Sequence, residues 1–351
     1  MKSDHNIDSH KLIYHPHRVC EWLDRGDTFP LYMEISPSGA CNHRCKFCAL
    51  DFMGYKHKYL YVEMITGFMV DAFNHGLKSV MLGGEGEPLL HKRITDITKN
   101  LYDIGLDVAC TSNGTLLTKW KAEQMLPHLS WLKVSVDAGT EMTYSEVHGI
   151  GATQFKVVLN NMEFAASLKA KHGYECTLGM QALLLPENES EMMLFASTAK
   201  DLGMDYVVIK PYSQHKYSQT KEYQDIDYSK HDDLQLELDQ LNDENFRVIF
   251  RSRAMETWDS GKLPVNTCYA LPFWAYMDAG GNIWGCSAYL GRKGWNWGHY
   301  MESFLDIWFG DKRKATMCQI DTAECRVGCR MSRCNEYLYN LKYPGAHANF
   351  I

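Results

Sequence analysis

Three thiols stand within eight residues in Cys41-Asn42-His43-Arg44-Cys45-Lys46-Phe47-Cys48. Three thiolates on one short loop converge on one metal centre and leave it one protein ligand short. Such an open position is what a metal centre needs to bind and activate a small molecule. The loop suits an iron–sulfur cluster better than zinc. Zinc recruits a fourth protein ligand, and the nearby imidazole, His43, sits inside the loop itself.

A second set of thiols follows far downstream. Cys268 and Cys286 bracket Gly281 as C-x₁₂-G-x₄-C, and Cys318, Cys325, Cys329 and Cys334 come after them. Residues 270–284 read as a β-hairpin with a Gly-rich turn, which brings the first two thiols together. Four thiolates suit either zinc or iron–sulfur. Cys20, Cys110 and Cys176 fit neither set and read as thiols packed like small hydrophobes.

Composition narrows the classes. The chain has 351 residues, a net charge of −7 and twelve cysteines. The length suggests one large or two medium domains. The charge balance speaks against general nucleic-acid binding, which wants a basic patch. No apolar run approaches about 18 residues, so no membrane-spanning helix is expected. The first ten residues lack an apolar stretch, so no signal peptide is expected and the compartment should be the cytoplasm. There, clustered cysteines hold metal rather than disulfides.

Strands and helices must carry these loops. Strand-like runs at 31–36, 79–83, 107–112, 131–136, 176–185 and 206–211 alternate with helical patterns at 61–75, 91–103, 118–126, 153–172 and 189–202. This alternation predicts βαβ units and a parallel α/β sheet. Six strands are too few for a closed eight-stranded barrel, so an open (β/α)₆ sheet is expected, with doubly wound topology as the alternative. The expected organisation is a polar extension over 1–28 with a short helix near 19–23, the partial barrel over 29–215, a polar connector over 216–263, a smaller α+β domain over 264–340, and a tail over 341–351.

Polar motifs end the successive strands. Gly83-Gly84-Glu85-Gly86-Glu87-Pro88 follows the second, Thr111-Ser112-Asn113-Gly114-Thr115 ends the third, and Ser135-Val136-Asp137 ends the fourth. Gln181 on the fifth and Lys210 on the sixth point to the same C-terminal rim as substrate candidates, Lys210 suiting a carboxylate or phosphate.

CxxxCxxC with Phe47 before its last Cys, followed in order by Gly-Glu-Pro, Asn-Gly and Ser-x-Asp motifs, resembles the radical S-adenosylmethionine (radical SAM) enzymes. The resemblance runs from about residue 30 to 340. It implies that Cys41, Cys45 and Cys48 hold a four-iron, four-sulfur cluster whose fourth iron chelates SAM. It also implies SAM contacts from Phe47, Gly84, Glu85, Glu87, Asn113, Ser135 and Asp137. Aligned on Leu89-Leu90-His91, Glu87 is the match to the family's acidic residue. Related sequences often carry Arg where His148 stands, and a neutral imidazole cannot make Arg's bidentate pair. The later cysteines resemble the SPASM/Twitch extension. Their spacing, C-x₆-C-x₃-C-x₄-C, falls short of two complete clusters. One auxiliary cluster is therefore expected, on Cys268, Cys286, Cys325 and Cys329. Cys318 and Cys334 are the substitutes, and also the candidate hydrogen donors.

The implied activity is reductive cleavage of SAM to a 5′-deoxyadenosyl radical that abstracts a substrate hydrogen. The expected outcome is oxidation or epimerisation at a carbinol carbon of a sugar or nucleotide-linked sugar. Modification of a ribosomally made peptide is the second expectation. A non-catalytic iron–sulfur or zinc protein is the third, disfavoured because electron transfer alone needs no SAM pocket. A reductant such as flavodoxin or ferredoxin is the expected partner.

Overall fold

Alternate side chains of the parallel strands are apolar and need cover, and the intervening amphipathic helices supply it. The computed structural model describes residues 7–261, 265–325 and 328–350. In chain order it contains α1 (Pro16–Arg25), β1 (Tyr32–Ile35), α2 (Val62–Asn74), β2 (Ser79–Leu82), α3 (Ile94–Ile104), β3 (Asp107–Ser112), α4 (Lys119–Met125) and β4 (Trp131–Ser135). Then follow α5 (Glu141–His148), α6 (Thr153–His172), β5 (Thr177–Leu183), α7 (Met192–Asp201), β6 (Tyr206–Lys210), α8 (Asp232–Asp239), β7 (Arg247–Phe250) and α9 (Ser252–Asp259). The chain closes with β8 (Trp274–Met277), β9 (Asn282–Trp284), β10 (Asn296–His299), α10 (Phe304–Trp308), α11 (Asp311–Cys318) and α12 (Ser332–Lys342).

Among the described residues all ten strands join one sheet, in the order β10-β9-β8-β1-β2-β3-β4-β5-β6-β7. From β8 through β7 every neighbouring pair is parallel, and β9 and β10 are antiparallel additions. Met33, Ile35, Val80, Leu82, Val108, Cys110, Leu132 and Val134 face the helices. They form one fully buried core with Ile65, Met69, Ile97, Leu101, Met125, Val158 and Met162. The alternate residues behave differently: β2 and β4 are buried only at every second position. Their inward side chains keep some solvent access, so the inner face is open beside β2 and β4, whereas Tyr206, Val208 and Ile249 pack it across β6 and β7. The sheet curls around this opening. Strands lie about 4.8 Å apart, so three strands of flat sheet separate β4 from β1 or β7 by about 14 Å. Yet Lys133 on β4 senses both Glu34 on β1 and Arg251 just past β7.

The partial barrel is larger than the sequence suggests. The run at 246–250, expected in a connector, is strand β7, paired in parallel with β6. The expected hairpin exists, but β8 lies parallel to β1 and continues the barrel sheet. The described part of the expected polar extension packs against the body of the protein. Val19 and Trp22 of α1 pack with Leu12, Leu31 and Leu338 of α12, and His10 stacks on Tyr337 at 4.3 Å. Cys20 is exposed, not packed, because it lies on the outer face of α1, while Cys110 and Cys176 are buried. Residues 1–6 of the expected extension, the boundary at 263–264 and the last tail residue, 351, lie outside the described residues. No helix among the described residues is long and apolar enough to cross a membrane.

Candidate active site

The first cysteine loop leaves β1 at the C-terminal edge of the sheet and is fastened from three sides. Gly39 N donates to Lys58 O at 2.9 Å, and Glu87 N to Ala40 O at 2.8 Å. Arg44 N and Lys46 N donate to His148 O and Val147 O, the free carbonyls at the end of α5. Gly86 lets the two loops meet: a Cβ there would stand 2.3 Å from Ser38 O and 2.4 Å from Ala40 O. Both obstacles are backbone, so they cannot swing away. Gly86→Ala is expected to cost about 1–3 kcal/mol, the usual range for overpacking, read as a lower urea midpoint at unchanged slope. An unchanged midpoint would show that the two loops are not pressed together.

Cys41, Cys45 and Cys48 lie close enough to influence one another. Burial is the main cause that lifts all three thiols, and the charge of neighbouring thiols adds to it at Cys41 and Cys45, with Cys41 pushed up to about 11. Without a cation they stay protonated; a metal displaces those protons. His43 N lies 3.5 Å from Cys41 Sγ as a donor, the kind of contact that stabilises a ligating thiolate.

Behind Cys45 sits a knot of rings. His148 Nδ1 is 3.2 Å from Cys45 Sγ, and its Nε2 donates to Val136 O at 2.9 Å. Burial drives His148 down to about 3 and His43 down to about 4, so both imidazoles are neutral. Ligand atoms of His43, Cys45 and His148 lie within 4.8 Å of one another. Phe47 packs edge-on against His148 at 5.4 Å. Tyr144 and His148, four residues apart, share the loop-facing side of α5.

The strand-end motifs split into two kinds. Glu87 is fully used inside the protein: it accepts from Leu89 N at 2.9 Å, Ser112 Oγ at 2.7 Å and Asn113 N at 2.8 Å. Asn113 Nδ2 donates to Asn42 Oδ1 at 2.8 Å, and its own Oδ1 accepts from Thr115. These two residues tie β2, β3 and the cysteine loop together. Gly84 has φ +96°, and a Cβ there would meet Ser36 Oγ at 1.9 Å. Glu85 accepts from Ala279 N at 2.7 Å with one oxygen, while Oε2 is buried without a partner, and burial lifts its carboxyl to about 7. The free carboxylate of this motif is thus Glu85, whereas Glu87, the better match by register, is a clamp.

Asp137 is the most constrained residue on the rim. It is fully buried with φ +54°, a strained choice for a non-glycine residue. Leu183 N donates to its Oδ1 at 2.6 Å, and Asn188 Nδ2 holds its carbonyl at 2.8 Å. Its Oδ2 accepts no hydrogen bond, although His148 Nε2 lies 3.4 Å away. Burial raises its carboxyl to about 7 and Lys210 pulls the other way, so Lys210 shares this rim. Gln181 Nε2 donates to Ser135 Oγ at 3.2 Å.

The later cysteines also converge. Cys268 is pushed up by burial, and further by Cys329, Cys286 and Cys325. Ala288 N and Met331 N each stand 3.4 Å from the sulfurs of Cys286 and Cys329 as donors, the same i+2 contact seen at Cys41. Cys334 lies beside Cys329, and burial takes it up to about 12. Cys318 is exposed at the end of α11. Next to this set, Arg330 reaches through to Glu34 on β1. Sequence reasoning missed Arg330, Glu34 and Tyr144, though the inward register of Glu34 was legible from its apolar neighbours.

Both thiol sets fit iron–sulfur clusters. The first has three sulfurs and, around them, buried polar atoms without partners: both ring nitrogens of His43, Tyr144 Oη, Glu85 Oε2 and Asp137 Oδ2. Buried polar atoms are normally satisfied, so these are the atoms a bound group would satisfy. The second has four sulfurs, with Cys268 acted on by the other three.

Residues 35–199 match the Radical SAM superfamily. GTP 3′,8-cyclase from Campylobacter fetus subsp. fetus is 28% identical over 178 residues, 49% of this chain and 52% of that one. The tungsten-containing aldehyde ferredoxin oxidoreductase cofactor-modifying protein of Pyrococcus furiosus is 26% identical over 190 residues, 51% and 50% of the two chains. The match thus spans about half the length of these curated relatives. Among solved structures, Streptococcus suis SuiB bound to precursor peptide SuiA superposes with a TM-score of 0.70 at 17% identity, covering 95% of this chain and 78% of that one. anSMEcpe with bound AdoMet gives 0.58 at 18% identity, covering 88% of each.

Proposed function

This chain carries a radical SAM domain, and we propose from that premise that it oxidises a carbinol carbon of a small polar molecule, a sugar or nucleotide-linked sugar, inside the partial barrel. When bound, a four-iron, four-sulfur cluster with SAM supplies one electron and a 5′-deoxyadenosyl radical that removes a hydrogen atom. Cys41, Cys45 and Cys48 would hold that cluster, and the neutral His148 backs Cys45. Asp137 and Glu85 offer open carboxylate oxygens to SAM's polar groups, and Glu87 and Asn113 keep the surrounding loops in register. Ser135, Gln181 and Lys210 line the rim that a substrate must pass.

One observation carries the oxidative reading: the convergence of Cys268, Cys286, Cys325 and Cys329. A carbinol carbon that loses a hydrogen atom must lose one more electron, and the hydroxyl proton, to become a carbonyl. Four protein thiolates would hold an electron acceptor with no position left for SAM. Epimerisation needs a hydrogen donor instead, and Cys334 beside Cys329 is the thiol in that place. Peptide modification is the second reading, supported by the likeness in fold to SuiB over 95% of the chain.

The test of the pocket is direct. SAM added to the reconstituted protein should change the spectrum of the first cluster, and dithionite should then release 5′-deoxyadenosine. Asp137→Asn keeps the shape but removes the charge facing the pocket. It is expected to weaken SAM binding about tenfold, roughly 1.4 kcal/mol, with iron content unchanged. Unaltered affinity would mean that SAM sits elsewhere.

A further inference from the structure

The inside of the barrel holds a cation with no anion in contact with it among the described residues. Lys133 lies mid-strand on β4, on the inward face, enclosed yet partly open to the interior space. Among the described residues its ammonium has no hydrogen-bond acceptor and no carboxylate partner. Its contact is the ring of Trp131, with Nζ 5.5 Å from the centroid. The two guanidinium groups that act on it are both paired. Arg330 reaches from the second cysteine set to Glu34 and lies over the Trp274 ring at 4.6 Å. Arg251 Nε donates to Asp8 Oδ1 at 3.1 Å. Among the described residues, then, Arg251 and Arg330 each have a carboxylate within ion-pair distance and Lys133 has none. Burial, and then the two guanidinium groups, push Lys133 down to about 8, with Glu34 opposing from a distance. An ammonium held in such a place gains from any anion that comes beside it.

We propose that Lys133 recognises an anionic group of the substrate, a carboxylate or a phosphate, that enters the barrel ahead of the reacting carbon. The anion accepts from the Lys133 ammonium, and Arg251 and Arg330 reinforce it through space. Ser135 stands two residues further along β4, about 7 Å nearer the rim, and Asp137 lies two residues beyond that. The reacting carbon of an anchored substrate therefore lies between Lys133 and the open oxygen of Asp137. This inference rests on the barrel interior being the substrate chamber of the proposed reaction.

Competitive lysine acetylation of the reconstituted protein at pH 8, read by peptide mass spectrometry, tests it. Pyrophosphate or malonate should slow labelling of Lys133 at least fivefold and leave exposed Lys230 unaffected. Protection by pyrophosphate alone assigns a phosphate, and by malonate alone a carboxylate. Equal labelling with and without both anions overturns the proposal. So does a Lys133 that never reacts, since the interior would then be closed. Anions should also raise the melting temperature of the wild type and of Lys133→Arg but not of Lys133→Met; an equal rise in Lys133→Met overturns it as well. 5′-Deoxyadenosine formation is measured on the same preparation. If it forms while protection is absent, the anion site fails and the SAM reading stands. Protection without 5′-deoxyadenosine keeps the anion site and sinks the SAM reading.

Discussion

A chain with Cys41, Cys45 and Cys48 all replaced by Ala is expected to retain about four of about eight irons and to make no 5′-deoxyadenosine. The loss is complete if, as proposed, those sulfurs are the donors at the site. The protein should survive the change, because the loop is fastened by backbone: Gly39 to Lys58, Ala40 to Glu87, Lys46 to Val147. None of these bonds uses a thiol. Burial already favours uncharged groups at these positions, so Ala there leaves no unpaired charge. Iron analysis after anaerobic reconstitution, together with chromatography of the nucleoside product, reads both effects. Stoichiometric zinc in the wild type, seated at Cys45 with His43 and His148, would end the iron–sulfur reading.

The second large effect is uncoupling. Cys325→Ala or Cys329→Ala should cut the oxidised product by at least a hundredfold, while 5′-deoxyadenosine still forms. Each change leaves three thiolates where four converge, which is too few to close the second site against other ligands. The first site keeps its own donors, so hydrogen abstraction continues without a path for the second electron. An epimerase responds otherwise. Its product needs no electron acceptor, and Cys334→Ala becomes the damaging change, with solvent deuterium entering the product. Deuterium at the substrate carbon with no oxidised product would sink the oxidative reading.

Much of the frame was legible because its periodicity is strong. All six expected strands fall within two residues of the observed ends, and the helix at 153–172 is matched at both ends. Gly173 stops that helix in the left-handed conformation, behind a basic last turn, which is a local signal. What was missed is short or depends on distant partners. β7 has four residues, and only pairing with β6 makes it a strand. α5 has eight residues, flanked by Thr140 and Gly149, whose capping role is visible only once the helix is supposed. The roles of Glu85 and Glu87 were not separable, since two glutamates two apart differ only in which loop each meets. The pairing of β8 with β1 had no sequence signal, because it joins strands about 240 residues apart and rests on register alone.

That pairing makes the molecule mechanically single. Leu31 N donates to Phe273 O at 2.8 Å and Ser36 N to Met277 O at 2.9 Å, at either end of the seam. β1 runs straight into the first cysteine loop, and the β8–β9 hairpin runs straight into Cys286. The two thiol sets are therefore joined through one parallel ladder of the sheet. A denaturant that parts β1 from β8 strips both sites in the same event, so metal loss from either should follow one cooperative curve. The seam also closes an edge of β1 that would otherwise be free to recruit another chain.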